Sequence, residues 1–216
     1  HIKDWNTSAV TDMSNAFQNR TTFDENITGW DVSNVTNMKN MFKQASSFNQ
    51  DIGNWNVSSV TDVSGMFDIT SSFNQDIGDW NVSSVTNMNH MFARASAFNQ
   101  DVSSWDISSV TTFNYTFHIR ASGVVRESAS LSDANKGEIH KTFSTNSNWP
   151  YSSWSVYAVY TPITDSNFQT AVNLWFSDET NATATYGHIR DWNTSAVTNM
   201  SQAFKDRTNF DENITG

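Results

Sequence analysis

IGNWNVSSVTDVSGMFDITSSFNQD, running from Ile52 to Asp76, is one copy of a pattern that recurs with a period of 25. Trp5, Trp30, Trp55, Trp80 and Trp105 mark its start, and Phe17, Phe42, Phe67, Phe92 and Phe117 its middle. Phe23, Phe48, Phe73 and Phe98 come next, while the Ser8, Val10 and Thr11 positions repeat in register through Ser108, Val110 and Thr111. Register is lost at about His118 and resumes at His188, where HIRDWNTSAVTNMSQAFKDRTNFDENITG restates the opening stretch His1–Gly29 with six substitutions. Trp192 thus repeats Trp5 at a spacing of 187. Self-similarity on two scales marks a repeat architecture, and the larger period reads as a super-repeat cut from a longer array.

Within one copy, Trp55-Asn56-Val57 alternates with period 2, which predicts a short strand with Trp and Val inward and Asn outward. Val35, Met38, Met41, Phe42 and Ala45 follow at steps of 3, 3, 1 and 3, the spacing of one helix face. Thr36, Thr61 and Thr86 precede that face and are of the right type for N-caps. So small a unit cannot bury its own apolar side and must stack on its neighbours. The expected fold class is an α/β repeat solenoid: a leucine-rich-repeat-like coil of 25-residue strand–helix units with a parallel sheet, its strands about 4.8 Å apart, plus a small α+β capping or linker segment. Three parts are expected: a five-repeat block over 1–117, a capping and linker segment over 118–187, and the start of the next block over 188–216.

Composition follows the template. Ser, Thr and Asn make 80 of the 216 residues, whereas Leu occurs twice, at Leu131 and Leu174, against nine Trp, fifteen Phe and seven Met. The core must therefore be built from aromatics, Val, Ile and Met. Cysteine is absent, which excludes disulfides, thiolate zinc sites and a cysteine nucleophile. Twelve Lys and Arg against 22 Asp and Glu, without a basic cluster, argue against nucleic acid and anionic lipid as partners. No apolar run is long enough for a membrane span.

Residues 118–187 have a different composition and hold both prolines, Pro150 and Pro162. Ser132 is placed to cap a short helix carrying Ile139 and Phe143, which Trp149-Pro150-Tyr151 ends. Trp154, Val156, Ala158 and Tyr160 alternate with other residues and predict a strand over 154–160. Asp165 or Ser166 would cap a second helix, near 166–177, with Phe168, Val172, Trp175 and Phe176 on one face. The first helix is expected to cover the end of one block and the second the beginning of the next.

WDVSNVTNMKNMF from Trp30 and WNVSSVTNMNHMF from Trp80, with FNQDI at Phe48 and Phe73, resemble the 25-residue repeats of BspA-like leucine-rich-repeat surface proteins, the DUF285 repeat. The resemblance covers residues 1–117 and 188–216. It implies an exported, cell-surface or secreted protein of a group often implicated in adhesion, and implies no particular ligand.

No phosphate loop, nucleophile elbow or zinc motif occurs, and His1, His90, His118, His140 and His188 show no paired ligand spacing, so neither catalysis nor a cofactor is expected. Asp51, Asp76 and Asp101 form a column, with Asn26 and Asn213 in equivalent slots. Calcium would suit such oxygens, but the favoured reading has these side chains, with Asn49, Asn74 and Asn99, bonding the backbone of their turns. Of eleven N-x-[ST] sequons, Asn6, Asn19, Asn34, Asn56, Asn81, Asn114, Asn181, Asn193 and Asn199 are the glycosylation candidates. Asn6, Asp31, Asn56, Asn81 and Asp106 form a polar strip and a candidate binding surface. The sequence is thus expected to encode an extracellular or cell-surface structural repeat protein whose main partner is itself, in a fibre, stalk or surface layer. The alternative is an adhesin or carbohydrate-binding module that meets glycans or neighbouring surface proteins through that strip.

Overall fold

The computed structural model describes residues 1–121, 124–127, 130–189, 192–205 and 207. After a 3-10 turn at Ile2–Asp4, residues 5–117 hold neither a helix nor a regular strand. The expected α/β solenoid of strand–helix coils with a parallel sheet is therefore corrected. Each 25-residue unit is a run of turns, and the parallel pairing between units is reduced to isolated bridges joining Asp12, Asn37, Asp62, Asn87 and Thr112 in succession.

The destination of the backbone N–H groups explains the difference. In the segment expected to be helical, Met38, Asn40, Phe42 and Gln44 donate to Asp62, Ser64, Met66 and Asp68 of the next unit, at 2.8–2.9 Å. The alternate residues Met41, Lys43 and Ala45 donate three residues back within their own unit. An α-helix would keep every one of these bonds to itself. Asn40 and Gln44 adopt φ of 54° and 62°, and Gly65, Ile69, His90 and Arg94 repeat this left-handed pair in the following units. A left-handed residue every fourth position cannot belong to an α-helix. Turns closed three residues back present the same apolar side chains inward as a helix would, so Val35, Met38, Met41, Phe42 and Ala45 are all buried. The spacing identifies the core face and leaves the element ambiguous.

The threonines read as N-caps do another job. Thr36, Thr61, Thr86 and Thr111 each donate both the N–H and the hydroxyl to the carbonyl of the Thr one unit earlier. Inside, Phe17, Phe42, Phe67, Phe92 and Phe117 stack with centroids 5.6, 5.8, 5.6 and 5.5 Å apart. A second column, Phe23, Phe48, Phe73 and Phe98, runs beside it at 5.8–6.1 Å. Offset aromatic pairs add about 0.5–1.5 kcal/mol each beyond area burial. The indole N–H groups of Trp30, Trp80 and Trp105 donate to the carbonyls of Ile2, Ile52 and Ile77, at 3.0–3.1 Å, tying these three units to their predecessors.

The last unit runs into an antiparallel hairpin of β1 (His118–Ala121) and β2 (Val124–Glu127), followed by helix α1 (Asp133–Phe143). Ser132 caps α1 by accepting from the Asn135 N–H at 3.2 Å. The strand expected over 154–160 is corrected: Ser152–Tyr157 is a 3-10 helix. A strand would put Trp154 and Val156 on one face, whereas Trp154 is fully buried and Val156 is 78% exposed. Trp154 packs with Trp149 and Tyr151 against Phe117, and the Tyr151 hydroxyl accepts from the Phe117 N–H at 2.8 Å. One continuous core runs from Met13 to Trp154.

Helix α2 (Phe168–Ser177) buries Phe168, Val172 and Trp175, and α3 (Glu179–Tyr186) follows directly, capped by Asp178. Asn167 stands at the N-cap position of α2 rather than Asp165 or Ser166. Both helices pack against the restarted repeat: Ile163, Phe168, Ala171 and Val172 form a core with Ala203, and Trp175 and Ala182 another with Ile189.

Candidate interaction surface

The strip residues are all exposed, and they share one local geometry. The Oδ1 atoms of Asn6, Asp31, Asn56 and Asn81 each accept from both the N–H and the hydroxyl of the Ser two residues on. In the fifth unit, Asp106 accepts from the Ser108 N–H at 3.0 Å. These are Asx turns. The structure thus brings all five into one column while engaging an acceptor oxygen of each. The Ser33 hydroxyl and N–H hold the Asp31 carboxyl below the usual carboxylate range. A recess of about 790 Å³ opens beside the end of the column, lined by Asp106, Ser108, Thr142, Asn146 and Thr180 among others.

The Asp51, Asp76 and Asp101 carboxylates accept from the N–H groups of Gly53, Gly78 and Ser103 at 2.9–3.1 Å, and Asn26 does the same for Thr28. Asn213 lies outside the described residues. Among the described residues, no cluster of three or more His, Asp or Glu could hold a metal ion. Asn49, Asn74 and Asn99 differ from expectation in where they bond. Asn49 Oδ1 accepts from the Asn74 N–H, Asn74 Oδ1 from Asn99, and Asn99 Oδ1 from Ser132. Gln75 and Gln100 donate to the carbonyls of Asn49 and Asn74. Asx turns were expected; an amide ladder between units is what stacking makes available, and Ser132 and Asn135 at the start of α1 close it.

The nine glycosylation candidates are exposed, but their settings differ. The Asn34 amide donates to the Ser8 carbonyl at 2.8 Å. In the Asn114 sequon the Thr116 hydroxyl is buried and donates to Met88 O and Phe113 O. Asn181 lies within α3, and its partner Thr183 is buried. Asn19 has φ 63°. Asn6, Asn56, Asn81, Asn193 and Asn199 all stand in turns in which Oδ1 accepts from the backbone or hydroxyl two residues on.

Two contacts of charged residues were not foreseen from sequence. Asp68, buried in the third unit, pairs with Lys43 of the second at 3.1 Å and bidentately with Arg94 of the fourth at 2.8 and 3.0 Å. The signal was present: Lys43 precedes Asp68 by one full period and Arg94 follows it by one period and a single step, so stacking makes them neighbours. Asp165 accepts from the N–H and hydroxyl of Thr198, both at 2.7 Å. The Thr198 hydroxyl above all, and its N–H, hold that carboxyl below its ordinary value.

The family model described as "Mycoplasma protein of unknown function, DUF285" matches residues 1–82, 55–154, 76–174 and 139–216. The chain belongs to the DUF285 family. The matches run through residues 118–187 as well, beyond the 25-residue motif itself. Comparison with curated proteins and with solved structures gave no match. As a DUF285 repeat protein, this chain joins its units by main-chain and amide ladders that are finished by α1 at one end. No helix among the described residues is long and apolar enough to cross a membrane.

Proposed function

We propose that this DUF285 protein is an extracellular or cell-surface structural and interaction protein, a building unit of a longer array, and not an enzyme. The observation that carries the reading is the resumption of the opening sequence at His188, with α2 and α3 packed against the restarted copy. A stack whose units contact only their neighbours extends without new kinds of contact, so its length is free to suit a stalk, fibre or layer. Its principal partner is then another copy of its own super-repeat. Electron micrographs and intact mass of the native protein test this. Regular elongated particles, and a mass well above the 24.3 kDa of this chain, are expected; compact particles of that mass would overturn it. N-glycans on the exposed sequons belong to the same reading. A mobility shift on deglycosylation is its measure, and no shift removes them.

A second reading rests on the column of Asn6, Asp31, Asn56, Asn81 and Asp106: a regularly spaced polar surface suited to glycans or neighbouring surface proteins. Binding on a glycan array that is lost in the Asn56→Ala/Asn81→Ala variant would support it. Binding unchanged in that variant would remove the strip as the site.

A further inference from the structure

The two copies of the opening sequence sit in different surroundings. In the second copy, Trp192 meets Trp175 edge-on at 6.3 Å and Tyr186 at 6.2 Å, and Phe204 meets Phe176 at 6.4 Å. Ile189 and Ala203 are buried. Asp165 takes both hydrogens of Thr198, standing where the Thr carbonyl of a preceding unit would otherwise stand. In the first copy part of this surface is uncovered. Trp5 is 63% exposed where Trp192 is half-buried, Ala16 is exposed where Ala203 is buried, and Ile2 is half-buried where Ile189 is buried, while Val10 and Phe17 are half-buried like Val197 and Phe204. Thr11 lends its carbonyl to Thr36, while its own N–H and hydroxyl have no partner among the described residues.

We propose that this face of the first unit, centred on Ile2, Trp5 and Ala16, is a docking site for a second copy of the α2–α3 pair, presented from just ahead of His1 as it is from just ahead of His188. The occupant is identified by the molecule's own solution to the same surface. Ile2, Trp5, Val10, Thr11, Ala16 and Phe17 are identical to Ile189, Trp192, Val197, Thr198, Ala203 and Phe204. A surface that α2 and α3 cover once, through identical side chains, is complementary to them again. The Asp165 equivalent would accept from Thr11 and so end the threonine ladder, and the apolar face of the pair would remove Trp5 from water. The α2–α3 pair of this chain is already engaged with residues 189–204, so the occupant is the pair of a preceding super-repeat. In that respect the inference rests on the array reading.

The test is a chain with residues 161–187 copied directly ahead of His1, compared with the unextended chain. A third chain carries the same extension with the added copies of Val172→Asp and Trp175→Ala. The readout is acrylamide quenching of the Trp5 contribution, taken by difference from the matching Trp5→Phe variant of each chain. The intact extension is expected to lower the Trp5 quenching constant by about half and to raise the thermal midpoint, and the substituted extension to do neither. Equal quenching with both extensions would overturn the proposal. So would concentration-dependent dimerisation of the unextended chain that shields Trp5, seen by sedimentation, because the face would then be a contact between two first units. A native protein of single-chain mass would remove both the array reading and this occupant, whereas equal quenching with both extensions in a protein of longer native chain would overturn the docking alone.

Discussion

Asp68 shows how a repeat creates an electrostatic site from residues remote in sequence. Its carboxylate is buried, while Lys43 and Arg94 retain 28% and 40% exposure. Coulombic gain and charge-assisted hydrogen bonds offset its desolvation only while both cations stay in place. Asp68→Ala is therefore expected to cost about 1–3 kcal/mol, because the two cations that lose their partner can reach water. Urea denaturation measures this, and a loss below experimental error would reduce the triad to ornament. In the amide ladder, Asn49 and Asn74 each join two units through Oδ1, and Asn99 joins the last unit to the start of α1. Sequence alone suggested turn formation for these asparagines because an isolated Asn has only its own backbone within reach. Stacking supplies a second backbone.

At the scale of the element, each unit is held by what lies above and below it. Phe67 is fully buried and stacks on Phe42, Phe73 and Phe92, whereas Phe17 at the exposed end is half-buried. Phe67→Ala is expected to cost about 3–5 kcal/mol, the range for a buried aromatic truncation. Phe17→Ala should cost clearly less in the same denaturation experiment, and equal losses would contradict nearest-neighbour coupling. In α1, Gly137 lies against the Tyr157 carbonyl, so close that an added Cβ would overlap it. Helix propensity favours alanine by about 1 kcal/mol, yet Gly137→Ala is expected to lower the thermal midpoint because the fixed backbone of the 3-10 helix must move. A higher midpoint would show that this packing yields easily. Much of the core was legible in the columns of Trp, Phe, Val and Met, since inward-facing side chains repeat whatever the backbone does. The element type was not. Steps of 3, 3, 1 and 3 fit a helix and fit turns closed three residues back, and only the neighbouring unit decides where alternate N–H groups go. α3 was missed for another reason: Thr180, Asn181, Thr183 and Thr185 are poor helix formers, and their helix is sustained by Ala182 packing under Trp175 and Ile189.

Across the whole molecule, acid should loosen contacts held by carboxylates. Asp12, Asp31 and Asp165 all have lowered values, through the Ser14, Ser33 and Thr198 hydroxyls first and the N–H groups of the same residues next. A carboxyl lowered on folding stabilises the folded state above its ordinary value of 3.8, and this contribution is lost as pH falls through the lowered value. The thermal midpoint is therefore expected to be flat near neutrality and to drop as pH falls below that ordinary value. Asp165→Ala should remove part of the drop, and its loss should be read locally, in hydrogen exchange at Thr198. An unchanged acid profile in that variant would detach Asp165 from the packing of α2 and α3 on residues 192–205. Charge also sets a limit on assembly, since a net −10 per 216 residues accumulates with every added repeat. Screening of surface charge by salt should then favour longer stacks.

Sequence by itself determined the periods of 25 and 187, the inward-facing columns of the 25-residue units, the family, and the cap at Ser132. Each of these depends on side-chain identity at a fixed spacing, which any stacked backbone preserves. Tertiary structure decided that the units are built of turns, that threonine and asparagine ladders join them, that Asp68 is paired twice, and that α3 joins α2 against the restarted copy. These depend on which backbone groups and charges of the adjoining units become neighbours. Local propensity carries no information about such partners until the stack exists.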